Sequence, residues 1–88
     1  MDEKIRKIIS NKLDEIFTKN DEITKIISSI DSLDAQSLRY GIIIGRLYNS
    51  FYYQHRRVLA RDPTKDEFLE FLDFVKSNQK TFQEKLDI

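Results

Sequence analysis

The chain has 88 residues, of which 40% are apolar and 34% charged, enough for one small core and a water-facing surface in a single helical domain over residues 1–88. Fifteen basic and fifteen acidic side chains cancel, and no cysteine is present, which excludes a disulfide framework and a thiolate metal site. The longest apolar run, residues 42–44, is far short of the ~20 residues a membrane span needs, and charges scattered through the N-terminal segment exclude a secretory leader, so the cytoplasm is the expected compartment.

From the N-terminus, apolar residues recur at Ile5, Ile8, Ile9, Leu13, Ile16, Phe17, Ile23, Ile26, Ile27 and Ile30. Steps of three and four predict a helix. As a heptad seam the pattern reads Ile9, Leu13, Ile16, Asn20, Ile23, Ile27, Ile30 and stays in phase across Asn20. A buried asparagine that sets register is one reading. A break over residues 18–21, with Thr18 or Asn20 capping a second short helix, is the other. Phase and the (i, i+4) pairs Glu15–Lys19 and Asp21–Lys25 favour one unbroken helix.

Asp31, Ser32 and Asp34 offer the next cap, Asp34 best placed before Ala35. A second helix is expected to run to about Arg61, with Arg56, Arg57 and Arg61 complementing the negative end of its dipole. Asp62-Pro63 stops it, since proline disfavours a helical residue before it. Thr64 and Glu67 then form a capping box. The third helix carries Phe68, Leu72, Val75, Gln79, Phe82 and Leu86 on one stripe with Phe71 beside it. The expected architecture is all-α: an elongated antiparallel three-helix bundle, or four helices if the first breaks near Asn20.

The middle helix is compositionally distinct. Residues 35–61 contain five arginines, all four tyrosines, the one histidine and both glycines, but no lysine, aspartate or glutamate. At about 100° per residue, Tyr40, Ile44, Leu47, Tyr48, Phe51, Tyr52, His55, Val58 and Leu59 share a broad face, read as the core. Opposite lie Arg39, Arg46, Ser50, Arg57 and Arg61, together with Ile42, Ile43 and Tyr53. Arginine, aromatic and isoleucine in one stripe is the mixture binding surfaces favour. The candidate partner-binding residues are therefore Arg39, Ile42, Ile43, Arg46, Tyr53, Arg57 and Arg61. The competing reading is that the isoleucines widen the core face and the arginines pair with acids of the flanking helices. Gly41 and Gly45 form a G-x-x-x-G pair suited to close helix packing, within the chain or between two chains.

His55 projects among Phe51, Tyr52 and Leu59, which suits a hydrogen-bonded core or rim residue better than a catalytic base. Asp66, Glu70 and Asp73 share a face of the third helix; a solvated acidic strip explains them more simply than a divalent ion would. No P-loop, G-x-S-x-G or H-E-x-x-H motif occurs. The expectation is a non-enzymatic protein–protein interaction or assembly module without metal or cofactor, pairing with itself as a homodimer or with another protein. Nucleic acid is the alternative partner: arginines could contact phosphates and tyrosines stack on bases. The zero net charge and a pI near 6.6 weigh against that alternative.

Overall fold

The computed structural model describes residues 1–30 and 34–86, and the side chains up to residue 85. Five helices follow one another: α1 (Glu3–Thr18), α2 (Asn20–Ser29), α3 (Ala35–Leu59), α4 (Lys65–Ser77) and α5 (Gln79–Leu86). No strand occurs among the described residues, so the all-α class holds. None of their helices is long and apolar enough to cross a membrane. The expected count of three or four does not hold. Three helical arms are present, but both outer arms are broken, and only the middle one is continuous.

The first break corrects the unbroken reading of the N-terminal arm. Lys19 sits at φ −98°, ψ 24°, outside helical geometry. Thr18 bonds back through its hydroxyl to the Asp14 carbonyl at 3.0 Å, and neither Thr18 nor its neighbours Asn20 and Asp21 is a strong helix former. Asn20 is not a seam residue: its side-chain oxygen accepts from Arg39 of α3 at 2.6 Å. A one-residue interruption preserves the seam almost in phase, which is why periodicity did not reveal it. Ile30, placed on that seam, is 51% exposed.

The second break, at Asn78, has the same chemistry. Asn78 lies at φ −99°, ψ 2°, and its amide Nδ2 donates to the Phe74 carbonyl at 2.8 Å. Ser77 bonds back to the Asp73 carbonyl at 2.8 Å. A side chain that competes for helix carbonyls ends α4, and the Asn78 carbonyl then accepts from Phe82 to begin α5.

Caps elsewhere follow the sequence. Asp34 accepts from the Ser37 amide at 3.0 Å, while Asp31 and Ser32 lie outside the described residues. Thr64 and Glu67 form the complete capping box. Asp2, not singled out by periodicity, caps α1 through bonds from the Lys4 and Ile5 amides. Helix α3 ends at Leu59, two residues earlier than expected, because Ala60 turns into the left-handed region at φ 56°.

The core runs along a single row of α3: Ile43, Leu47, Phe51 and His55, each four residues on from the last and each buried. Ile5, Ile9, Leu13 and Ile16 of α1 and Ile23 and Ile27 of α2 pack against it. Phe71 of α4 and Phe82 of α5 close the third side. Phe51 stacks on Phe71 at 4.7 Å, and Phe82 meets both Phe17 (6.0 Å) and Tyr40 (5.6 Å). Backbone packing is closest between α3 and the α1–α2 arm, which runs antiparallel to it; α4 and α5 reach the core through long aromatic side chains. The molecule measures 38 × 23 × 22 Å, its long axis matching the ~38 Å rise of the 25-residue α3.

Candidate interaction surface

Two stripes of α3 remain outside the core, and each repeats the spacing four, three, four. The first is Gly41, Gly45, Tyr48, Tyr52; the second is Arg46, Ser50, Tyr53, Arg57. Both arise from the straight row of four-residue steps that forms the core. Such a row drifts about 40° per step round a 3.6-residue helix, so the buried face is narrower and more tilted than a broad amphipathic reading implies.

That tilt corrects two earlier assignments. Ile43, expected on the partner-binding side, is 1% exposed and forms part of the core. Tyr48, expected in the core, is 43% exposed. The same correction applies to the third arm: Phe71 is buried, whereas Leu72, placed on the core stripe, is 42% exposed and Leu69 is 50% exposed.

For the glycine pair, the expectation of close packing within the chain is corrected as well. A methyl group added at Gly41 or Gly45 would meet nothing within 4 Å, so no helix of this chain approaches closely there. Both positions lie open on the outer side of α3. Tyr48 stands beside them, its ring meeting Phe68 at 6.2 Å and Phe71 at 6.1 Å across to α4. Tyr48, Asn49, Tyr52 and Arg56 line a shallow depression of about 320 Å³. Hydrogen bonding to Tyr48 holds the Tyr52 hydroxyl above the ordinary phenol range. Leu69 and Leu72 of α4 are exposed as well. Periodicity missed these tyrosine and leucine positions because it averaged over a wide face; their signal was the four-residue row itself.

The arginines separate into two groups. Arg39 is tucked onto α2, donating to Asn20 at 2.6 Å and Thr24 at 3.1 Å. Arg56 bonds Asp62 at 2.6 Å and lies over the Tyr52 ring at 5.5 Å. Arg61 grips Glu67 with two bonds, at 2.7 and 3.2 Å. These three serve the fold, and one of them, Arg61, pairs with an acid of a flanking helix as the competing reading expected. Arg57 touches only the amide of Gln54, at 3.4 Å, and Arg46 makes no hydrogen bond or ion pair among the described residues. Tyr53 is 59% exposed beside them, and Ile42 is half-buried against the core.

Glu67 is the electrostatic hub that sequence reasoning saw only as a cap. Its carboxylate accepts the Thr64 amide at 2.8 Å, both Arg61 donors, and lies 3.5 Å from Nε2 of His55. The Arg61 guanidinium, aided by Thr64 and His55 and opposed by burial, pulls its pKa from the ordinary 4.5 to about 2. His55 is fully buried, and its Nδ1–H donates to the Phe51 carbonyl at 2.7 Å. Its Nε2 has no hydrogen-bond partner and faces Glu67 across the turn. The set clamps the end of α3 to the start of α4. On the acidic strip, Glu70 is held by the Met1 amino group and by Arg6 at 3.7 Å, while Asp66 and Asp73 are exposed.

Fold and surface together define a small all-helical bundle of three arms, with two partly exposed stripes on its middle helix. Comparison with family models, with curated proteins and with solved structures gives no match for this chain.

Proposed function

We propose that the chain is a small non-enzymatic helical interaction and assembly module that pairs with a second copy of itself, in keeping with the cytoplasmic compartment expected from its composition. One observation carries this reading. Gly41 and Gly45 lie open on the outer side of α3, Tyr48 beside them is 43% exposed, and Leu69 and Leu72 of α4 are exposed as well. Exposed apolar surface of this kind marks interaction sites. Two glycines in a helix disfavour it by ~1 kcal/mol each unless another backbone approaches there.

The charge pattern favours a second copy. Arg56 is neutralised by Asp62, so the glycine–tyrosine stripe presents no net charge that two copies would set against each other. Closed two-fold dimers are the commonest assembly. The surface also has both halves of a fit: Leu69 and Leu72 project, and the depression beside Tyr48 receives.

Light scattering across a concentration series tests the proposal. The wild type is expected to dimerise, and Leu72→Glu to remain monomeric with unchanged helix content. A wild type that stays monomeric at hundreds of micromolar removes the self-pairing reading.

A further inference from the structure

The second stripe of α3 borders a groove of a different character. Between α1 and α3 lies an open depression of about 480 Å³, lined by Asn11, Lys12 and Glu15 on one side and by Asn49, Tyr53 and Gln54 on the other. Arg57 reaches its rim through Gln54, and Arg46 lies on the same stripe about three turns back. Neither arginine is neutralised by an acid among the described residues. The one carboxylate in the groove, Glu15, is paired with Lys12 at 3.6 Å and Lys19 at 3.3 Å, and its pKa is lowered chiefly by the Lys19 bond. The groove therefore carries a local positive charge that the neutral total of the chain conceals.

We infer that this α1–α3 groove binds a short stretch of single-stranded nucleic acid, with Tyr53 stacking on a base and Arg46 and Arg57 contacting phosphates.

The chemistry of the lining selects this ligand over the other polyanion, an acidic protein segment. A protein helix or strand docks through apolar anchors, and Ile8 is the single aliphatic side chain in the lining. The groove offers instead three carboxamides, Asn11, Asn49 and Gln54, which pair with the donor and acceptor edges of unpaired bases. Tyr53 is 59% exposed, its ring available for stacking, which tolerates any base. Arg46 and Arg57 are eleven residues apart, about 17 Å along the helix, a distance spanned by a few nucleotides of extended strand. A duplex is too wide and stiff to place a base against Tyr53 in so shallow a groove, so the inferred ligand is unpaired. This surface is separate from the glycine–tyrosine stripe, and the inference does not depend on self-pairing.

The test is fluorescence anisotropy of the whole chain with labelled oligouridylate and oligothymidylate of about twelve nucleotides, and with a duplex of equal length. Binding to single strands, weakening as salt rises, is the expected result, with the duplex markedly weaker. Tyr53→Ala is expected to lower affinity about tenfold. Arg46→Gln and Arg57→Gln should each lower it and flatten the salt dependence by roughly one phosphate contact. Leu72→Glu should leave it unchanged, which separates this site from the proposed dimer face. All three groove residues are surface positions, so circular dichroism should show the variants folded. No binding to either strand at low salt overturns the inference. So does binding that ignores Tyr53→Ala and treats duplex and single strand alike. Polyglutamate that competes as well as the oligonucleotide also overturns it, in favour of an acidic protein partner.

Discussion

At the scale of single residues, Glu67 concentrates more interactions than any other described side chain. It caps α4, binds Arg61 twice and faces buried His55. Its carboxylate titrates at about 2 in the folded chain against an ordinary 4.5, so it stabilises the fold as the anion. A depressed carboxylate pKa gives stability that is complete above about pH 5 and lost as pH falls from there toward 2. With Arg61 half-exposed and partly screened, the loss is on the order of 2 kcal/mol. Urea melts of the wild type should show that decline, and Glu67→Gln should be weaker at neutral pH by a similar amount and flatter across the acid range. A second residue sits against its own stereochemistry. Ala60 holds φ 56° after α3, where a β-carbon is disfavoured and glycine is the usual solution. Ala60→Gly should raise stability by ~0.5–1 kcal/mol in the same melts.

At the scale of elements, the legible parts of the sequence were those where one short-range rule had no competitor. The Thr64–Glu67 box and the Asp34 cap are local contacts within four residues, and the structure contains both where the sequence places them, whereas the helix expected to stop at Asp62-Pro63 already ends at Leu59. The break at Lys19 falls within residues 18–21, where the sequence offered one as the second reading, and the break at Asn78 was not read at all, because each interrupts the backbone for one residue and leaves the apolar phase nearly intact. The outer faces of α3 and α4 were misread for a different reason. A helix touched on two sides buries a tilted row, and which row depends on how far each neighbour stands from it. The long reach of Phe51 and Phe71 sets that distance, and it follows from packing across the bundle, not from the order of residues in one helix. Hence Ile43 went to the surface and Tyr48 and Leu72 to the core in the sequence reading, and the structure reverses all three. The open glycines give a direct check. Gly41→Ala and Gly45→Ala should each stabilise the monomer by about 0.5–1 kcal/mol, since the methyl meets nothing. Thermal melts at low protein concentration read that gain, and at high concentration the same substitutions should weaken pairing.

For the whole molecule, the burial of Ile43 changes what a familiar kind of experiment would report. A charge at an exposed isoleucine splits a dimer and leaves the protomer intact. At Ile43 it would place an unpaired carboxylate inside one continuous core. Ile43→Glu is therefore expected to abolish most of the helical circular dichroism signal, while Leu72→Glu preserves it. A folded Ile43→Glu protein would mean that the row from Ile43 to His55 is not the centre of the core. The outer surface divides by chemistry as well. One stripe of α3 is neutral and apolar, the other basic and amide-rich, and they share the helix without sharing residues. Both proposed binding faces thereby lie on one continuous element of an 88-residue chain.

The paired interruptions at Lys19 and Asn78 have a dynamic consequence. Phe17 and Phe82, which lie within a turn of the two breaks, touch one another, and Tyr40 of α3 joins them. Each outer arm thus carries a fracture, and α5 runs beside the end of α1, with Lys85 over the Phe17 ring. A helix stops transmitting cooperativity where its bond ladder stops, so α2 and α5 can open while the remainder stays closed. In hydrogen exchange, amides of α2 and α5 should exchange through a low-energy opening, and those from Leu47 to His55 only through global unfolding. Uniform protection on both sides of the fractures would show that Phe82 rivets the two tiers into one.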